Sequence, residues 1–247
     1  MIKTEVTVKK QKVNMIQKAM IDEALVISRI KASPTVKGIF KLPIGQAFCQ
    51  EALSHALVKS VNDVNIEFIS HPKHDAVLES VSNWLVGHSY KNGLWLCGLG
   101  GTGKTTLVSA IQKLVNSLSI LDPILGSPSH LVYAGLVVVS ASKLCHLYVN
   151  EYATFQRYQR TALLAIDDLG AEAEKTRHYG QECDPIGVML GFRYENRLFT
   201  IVTTNLPSDQ IRGRYGDRTA DRVRQMMQVV PMPEKNFRED SKTFKYN

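Results

Sequence analysis

The stretch Gly98-Leu99-Gly100-Gly101-Thr102-Gly103-Lys104-Thr105 constrains this chain more than any other, because it fits the pattern G-x-x-x-x-G-K-[ST]. Glycines let the backbone turn sharply and bring its N–H groups against phosphate oxygens. Lys104 supplies a point charge for the β- and γ-phosphates, and the Thr105 hydroxyl is a ligand for Mg²⁺. The pattern implies ATP and Mg²⁺ as cofactors only where a strand precedes it and a helix follows. Leu94-Trp95-Leu96-Cys97 predicts a short buried strand after an Asn92-Gly93 turn. From Thr106 to Leu118 the residues Leu107, Ala110, Ile111, Leu114, Val115 and Leu118 fall on one helical face. The partial positive charge of that helix start would meet the phosphates. Gly98, Gly100, Gly101, Thr102, Gly103, Lys104, Thr105 and Thr106 are therefore the candidate nucleotide-binding residues.

Downstream the texture alternates between strand and helix. Gly135 to Ser140, Leu163 to Ile166 and Leu198 to Thr203 predict further buried strands. Helical stretches between them imply βαβ units and a parallel sheet, with a ligand at the carboxyl ends of the strands. Asp75 to Val86 predicts a helix, and Leu121 to His130 a loop rich in Pro, Gly and Ser.

Before residue 71 the chain reads differently. Residues 1–12 are polar, Val13 to Ile30 carries an amphipathic stripe, and Gln46 to Lys59 predicts another helix. Of the net charge of +7, residues 1–60 hold +6, from 10 Lys and Arg against 4 Asp and Glu. The expectation is a basic helical N-terminal partner-binding unit over residues 1–70 and a nucleotide-binding domain over residues 71–247. An acidic partner and a solvated charged face both fit that basic module. Its apolar stripes fit an internal core or a partner groove.

No apolar run reaches the roughly 20 residues of a membrane helix, no signal-peptide pattern opens the chain, and the expected location is the cytoplasm. The four cysteines, Cys49, Cys97, Cys145 and Cys183, form no C-x-x-C pair, which fits reduced thiols and argues against a Cys₄ zinc site. His71 and His74 lack further ligands at useful spacing and predict a surface loop.

Each apolar strand ends in a residue suited to nucleotide chemistry. The strand Leu163–Ile166 runs into Asp167-Asp168, 63 residues after Lys104, in the manner of a Walker-B segment. Asp167 is a candidate Mg²⁺ ligand together with Thr105, and Asp168 a candidate for orienting or deprotonating the attacking water. Asn205 ends Thr203-Thr204-Asn205, placed to hydrogen-bond that water or the γ-phosphate, or simply to start the loop before Pro207. Arg212, Arg214, Arg218, Arg222 and Arg224 follow within thirteen residues, and Thr219 to Gln228 is helical in pattern. Arg218 and Arg222 share a face and suit a neighbour's phosphate; a solvated helix partly neutralised by Asp217 and Asp221 also fits.

Lys143 to Arg160 interleaves Tyr148, Tyr152, Phe155 and Tyr158 with Lys143, His146, Arg157 and Arg160. Aromatic platforms beside cations are what single-strand binding uses. An amphipathic helix with its aromatics turned to the core is equally compatible. The candidate DNA contacts are Lys143, Tyr152, Arg157 and Arg160, with the two arginines foremost.

With these segments in view, the chain resembles the AAA+ helicase loaders of the DnaC/DnaI type, together with the IstB transposition helper ATPases. The resemblance rests on Gly98–Thr105, on Leu163-Leu164-Ala165-Ile166-Asp167-Asp168-Leu169-Gly170, on Thr203-Thr204-Asn205, on Gly216-Asp217-Arg218-Thr219-Ala220-Asp221-Arg222-Val223, and on Asn236-Phe237-Arg238. It frames about residues 75–240 and implies an AAA+ core with a parallel sheet flanked by helices. By this resemblance Asn205 is the sensor-1 residue. Arg222 is the arginine finger that reaches a neighbouring subunit's ATP, Arg218 is its companion, and Arg238 is the sensor-2 arginine. Two departures stand out: residues 1–70 lack the zinc cysteines of some relatives, and no Gly-x-Ser precedes Phe237-Arg238.

The resemblance implies an Mg²⁺-dependent ATPase that self-assembles into a spiral or ring, binds single-stranded DNA and delivers a replicative helicase. The alternative is a helper ATPase that coats duplex DNA and recruits a transposase. A small-molecule kinase is disfavoured, because no lid-like arginine pair follows the phosphate loop and the Thr-Thr-Asn and arginine segments would be left without a use.

Overall fold

The structure is a computed structural model, and it describes residues 27–28, 39–63, 72–127, 129–174, 176–178, 181–207 and 209–233. The helix expected over Val13 to Ile30, apart from residues 27–28, lies outside the described residues, as do His71 and Asn236-Phe237-Arg238. The chain divides into two units at Lys37/Gly38, and the architecture below belongs to the second.

Five parallel strands form one sheet: β1 (Gly93–Cys97), β2 (Val137–Ser140), β3 (Leu163–Leu169), β6 (Phe199–Thr204) and β7 (Met227–Pro231), in the order β2-β3-β6-β1-β7. The central strands are apolar runs because both of their faces are covered. Successive side chains alternate between two cores. Leu94, Leu96, Leu163, Ala165, Phe199 and Ile201 point to one; Trp95, Leu164, Ile166 and Val202 point to the other.

The first core lies under α1 (Gln46–Asn62), α2 (Pro72–Leu85) and α3 (Lys104–Ser117). The second lies under α4 (Ala141–Asn150), α5 (Tyr152–Arg160), α6 (Pro185–Glu195) and α7 (Gln210–Met226). A small antiparallel hairpin, β4 (Thr176–His178) and β5 (Gln181–Cys183), stands apart from the sheet. No described helix is long and apolar enough to cross a membrane.

Three differences from the sequence expectation have physical causes. The helix Gln46–Asn62, expected within an N-terminal unit ending at residue 70, belongs to the same unit as the sheet. Its stripe Cys49, Leu53 and Leu57 recurs every four residues and packs along α3, inside the sheet's own core. The helix expected to run on to Gln228 stops at Met226, and Met227–Pro231 becomes the edge strand beside β1. Gln228-Val229-Val230-Pro231 suits an edge, and Lys91 Nζ seals the junction by donating to Arg224 O and Met227 O, both at 2.8 Å. Finally, the stretch Lys143 to Arg160 is broken at Glu151 (φ −142°, ψ 60°), which separates α4 from α5.

Candidate functional site

The carboxyl ends of β1, β3 and β6 meet because the strands are in register: Cys97 pairs with Thr204, and Leu169 with Thr204 from the other side. The loop leaving β1 turns at Gly98 and enters α3 through Gly103, whose left-handed backbone (φ 87°, ψ 14°) caps the helix without any side-chain hydrogen bond. The first N–H groups of α3 are thus left for an anion. A Cβ at Gly100 or Gly103 would have nothing within 4 Å, so the space over the loop is open.

Lys104 is buried, and its Nζ donates to Gly98 O at 2.9 Å, to Leu99 O at 2.8 Å and to Thr102 Oγ1 at 3.4 Å. Thr102 Oγ1 in turn donates to Leu99 O at 2.9 Å. The lysine therefore stands inside the arch of its own loop, at the start of the 14-residue α3.

The expected partners come together here. Thr105 Oγ1 lies 3.1 Å from each carboxylate oxygen of Asp167. Thr203 Oγ1 donates to Asp167 Oδ1 at 2.5 Å and accepts from Asp168 N at 2.9 Å. A carboxylate beside a hydroxyl is a hard-oxygen donor set of the kind Mg²⁺ takes, with the remaining positions left to water and phosphate.

Asp168 occupies a β-bulge. Ile166 pairs with Val202 and Leu169 with Thr204, so β3 has one residue more than β6 across this interval. The extra residue puts Asp168 into left-handed backbone (φ 54°) with its side chain exposed. Asn205, also exposed, follows Thr204 directly, and Thr204 O accepts from Gly98 N at 3.3 Å. Sequence reasoning missed Thr203 as a site residue; a hydroxyl two positions before Asn205 on a fully buried strand was the available signal.

The arginines of α7 separate by partner. Arg212 and Arg224 pair with Asp217 and Asp221 at the surface, as a solvated basic helix does. Arg214 pairs with Glu172, whose side chain is only 4% exposed. Arg222 is 17% exposed, lies 2.6 Å from Glu195 Oε1 and sits over the Tyr194 ring at 5.7 Å. Its Nη1 also crowds Gly191, where a Cβ would come within 2.4 Å. Arg218 is exposed and has no ion-pair partner among the described residues. Gly216 (φ 76°, ψ 168°) kinks α7 between Arg214 and Arg218. The candidate Arg238 lies outside the described residues.

The candidate DNA residues do not form one patch. Lys143 lies in the first turn of α4, whose cap Ser140 Oγ accepts from Lys143 N at 3.2 Å. Ser140 pairs with Asp167, so this end is at the carboxyl edge of the sheet. Arg157 and Arg160 lie exposed in the last turn of α5, just before β3 begins, at the other end of the crossover. Of the aromatics, Phe155 is fully buried, and Tyr152 is 47% exposed and stacked on Phe155 at 5.8 Å.

The end of α5 is held by Arg193, a fully buried side chain absent from the sequence expectation. Its guanidinium donates to Tyr158 O, Gln159 O and Thr161 O at 3.4, 3.1 and 2.8 Å, to Phe199 O at 2.6 Å and to Thr200 Oγ1 at 2.8 Å. Burial pushes its pKa down to about 9. A single arginine directly after the apolar run Pro185 to Phe192 was its only trace in the sequence.

No known family matches the chain, and no curated protein sequence matches it. Among solved structures it is similar to that of DnaI, with TM-score 0.50 and 20% identity over 73% of this chain and 94% of that one. It is also similar to the DnaC helicase loader, with TM-score 0.49 and 19% identity over 67% and 93% of the two chains. A third is AMPPCP-bound DnaA from Aquifex aeolicus, with TM-score 0.47 and 19% identity over 68% and 49%. The likeness to DnaI is a likeness of fold, and together with the parallel sheet, its helical layers and the phosphate loop at the sheet's carboxyl edge it gives this chain the AAA+ P-loop fold.

Proposed function

We propose that this protein is an Mg²⁺-dependent ATPase of the helicase-loader kind, acting in DNA replication. The observation that carries the proposal is the convergence of the Lys104 loop, Thr105, Asp167 and Thr203 on one point of the sheet's carboxyl edge. In this reading the backbone from Gly98 to Thr106 cradles the triphosphate, and Lys104 exchanges its loop carbonyls for phosphate oxygens. Thr105 and Asp167 hold Mg²⁺. Asp168, thrust out by the bulge, orients the attacking water, and Asn205 bonds the water or the γ-phosphate.

Self-association completes the site. Arg218, exposed on α7, is the better placed of the paired arginines to meet a neighbour's nucleotide. Arg222 must first release Glu195 to do so. Arg238 completes the set by resemblance alone. Tyr152, Arg157 and Arg160 offer single-stranded DNA a stacking ring and two cations, and Lys143 offers a separate contact. In this reading the protein partner is a replicative ring helicase, as the resemblance of the motifs implies.

The test is direct. Purified protein should bind Mg-ATP, bind single-stranded oligonucleotide more tightly with ATP than without, and recruit a replicative helicase to that strand. ATP binding by K104A equal to that of the wild type would reject the nucleotide site. Preference for duplex DNA with recruitment of a transposase would replace the loader with the transposition helper.

A further inference from the structure

We infer that Glu172 is a positioning residue that couples the nucleotide site to the arginine-bearing half of α7. The inference rests on the ATPase reading above and names a device for its control.

The geometry sets one carboxylate between two moving parts. After the bulge, the chain turns at Gly170 (φ 97°), a conformation that favours glycine, and Ala171 N donates to Asp168 O at 3.1 Å. Gly170 N donates to Glu172 Oε2 at 2.8 Å, so one oxygen of Glu172 holds the turn that sets the direction of Asp168. The other oxygen accepts from the Tyr215 hydroxyl and, at 3.3 Å, from Arg214 Nε and Nη2. Arg214 Nη2 also donates to the main-chain oxygen of Glu172.

Burial and hydrogen bonding to Glu172 keep the Tyr215 phenol far above its ordinary pKa, so it remains a donor. Arg214 and Tyr215 are the last residues of α7 before the Gly216 kink, and Arg218 and Arg222 lie just beyond it. A change in the Asp168 turn when a γ-phosphate arrives or leaves therefore reaches Gly216 through one buried carboxylate. From there it swings the segment that carries Arg218. A surface ion pair would be screened and loose; here the carboxylate is buried and bonded on both oxygens, and Arg214 is only partly exposed.

Glu172 borders a cavity of about 400 Å³, lined also by Cys145, Thr176, Cys183, Asp184, Arg214 and Tyr215. Water from that cavity can solvate Arg214 when the carboxylate is removed.

Hydrogen exchange of the full chain with and without Mg-ATP tests the coupling, comparing wild type, E172Q and E172A. In the wild type, Mg-ATP should slow exchange both at residues 98–106 and at residues 216–223. In E172A the first protection should persist and the second should fall by about tenfold, within the usual range of site-to-site coupling. E172Q, which keeps an acceptor for Gly170 N but loses the charge facing Arg214, should fall between. Hydrolysis by E172A should lose kcat with KM unchanged.

Wild-type protection of residues 216–223 in E172A would overturn the inference. So would a parallel loss at residues 98–106 with a lowered melting temperature, which marks a merely structural carboxylate. Wild-type protein whose residues 98–106 ignore Mg-ATP would instead sink the nucleotide site itself.

Discussion

At the scale of single residues, the site is built from contiguous chemistry and from chemistry that only folding assembles. The phosphate loop was legible because its pattern must be continuous in sequence, and Lys104 takes its expected place at the start of α3. K104A should lose Mg-ATP binding, measured by displacement of a fluorescent nucleotide, while keeping the wild-type melting temperature within a few degrees. Asp167 was legible as an acid closing an apolar strand. Thr203, Glu172 and Arg193 were not, because their roles depend on partners 36, 42 and up to 35 residues away. The arginines of α7 show the limit of spacing arguments: Arg218 and Arg222 share a helical face, yet Arg222 is occupied by Glu195 and Tyr194. R218A should lower assembly-dependent hydrolysis on the order of 10³-fold, the scale of a lost arginine finger. R222A should instead cost about 1 kcal/mol of stability with a smaller kinetic effect, read by denaturant melting alongside turnover.

At the scale of elements, α5 combines an exposed end with an internally fixed one. The carbonyls of Tyr158, Gln159 and Thr161 at this helix end all accept from Arg193, and Tyr158 O accepts from Thr161 N as well. R193M fills the volume but removes the N–H donations to Tyr158 O, Gln159 O, Thr161 O, Phe199 O and Thr200 Oγ1. It should destabilise the protein by about 2–4 kcal/mol in urea melts. Removing Arg157 and Arg160 together should weaken single-strand binding and reduce the slope of log K against log salt by about 1 to 2 units, with no loss of ATP binding. The helix boundary at Glu151 and the strand Met227–Pro231 escaped sequence reasoning for different reasons. The first lies within one continuous apolar pattern. The second follows a helix with no turn residue between, and only pairing with β1 decides that it is extended.

At the scale of the whole molecule, the four strands read from apolar runs are present and parallel, and the candidate site sits where such sheets place ligands. Which core the helix Gln46–Asn62 joins was not legible, since an amphipathic stripe shows that a helix covers something without showing what. The stripe of α1 covers the core shared with α3. A fragment beginning at residue 71 should therefore be less stable than one beginning at residue 38 by on the order of 5 kcal/mol, from the loss of Leu53, Leu57 and Cys49 as cover. It should bind a hydrophobic dye that the longer fragment ignores. Equal melting of the two would show that α1 is an appendage.

That placement has a mechanical consequence. α1 lies along α3, and α3 begins at the lysine of the phosphate loop. A pull on the polypeptide just ahead of α1 would thus load the packing of the very rod whose tip carries Lys104.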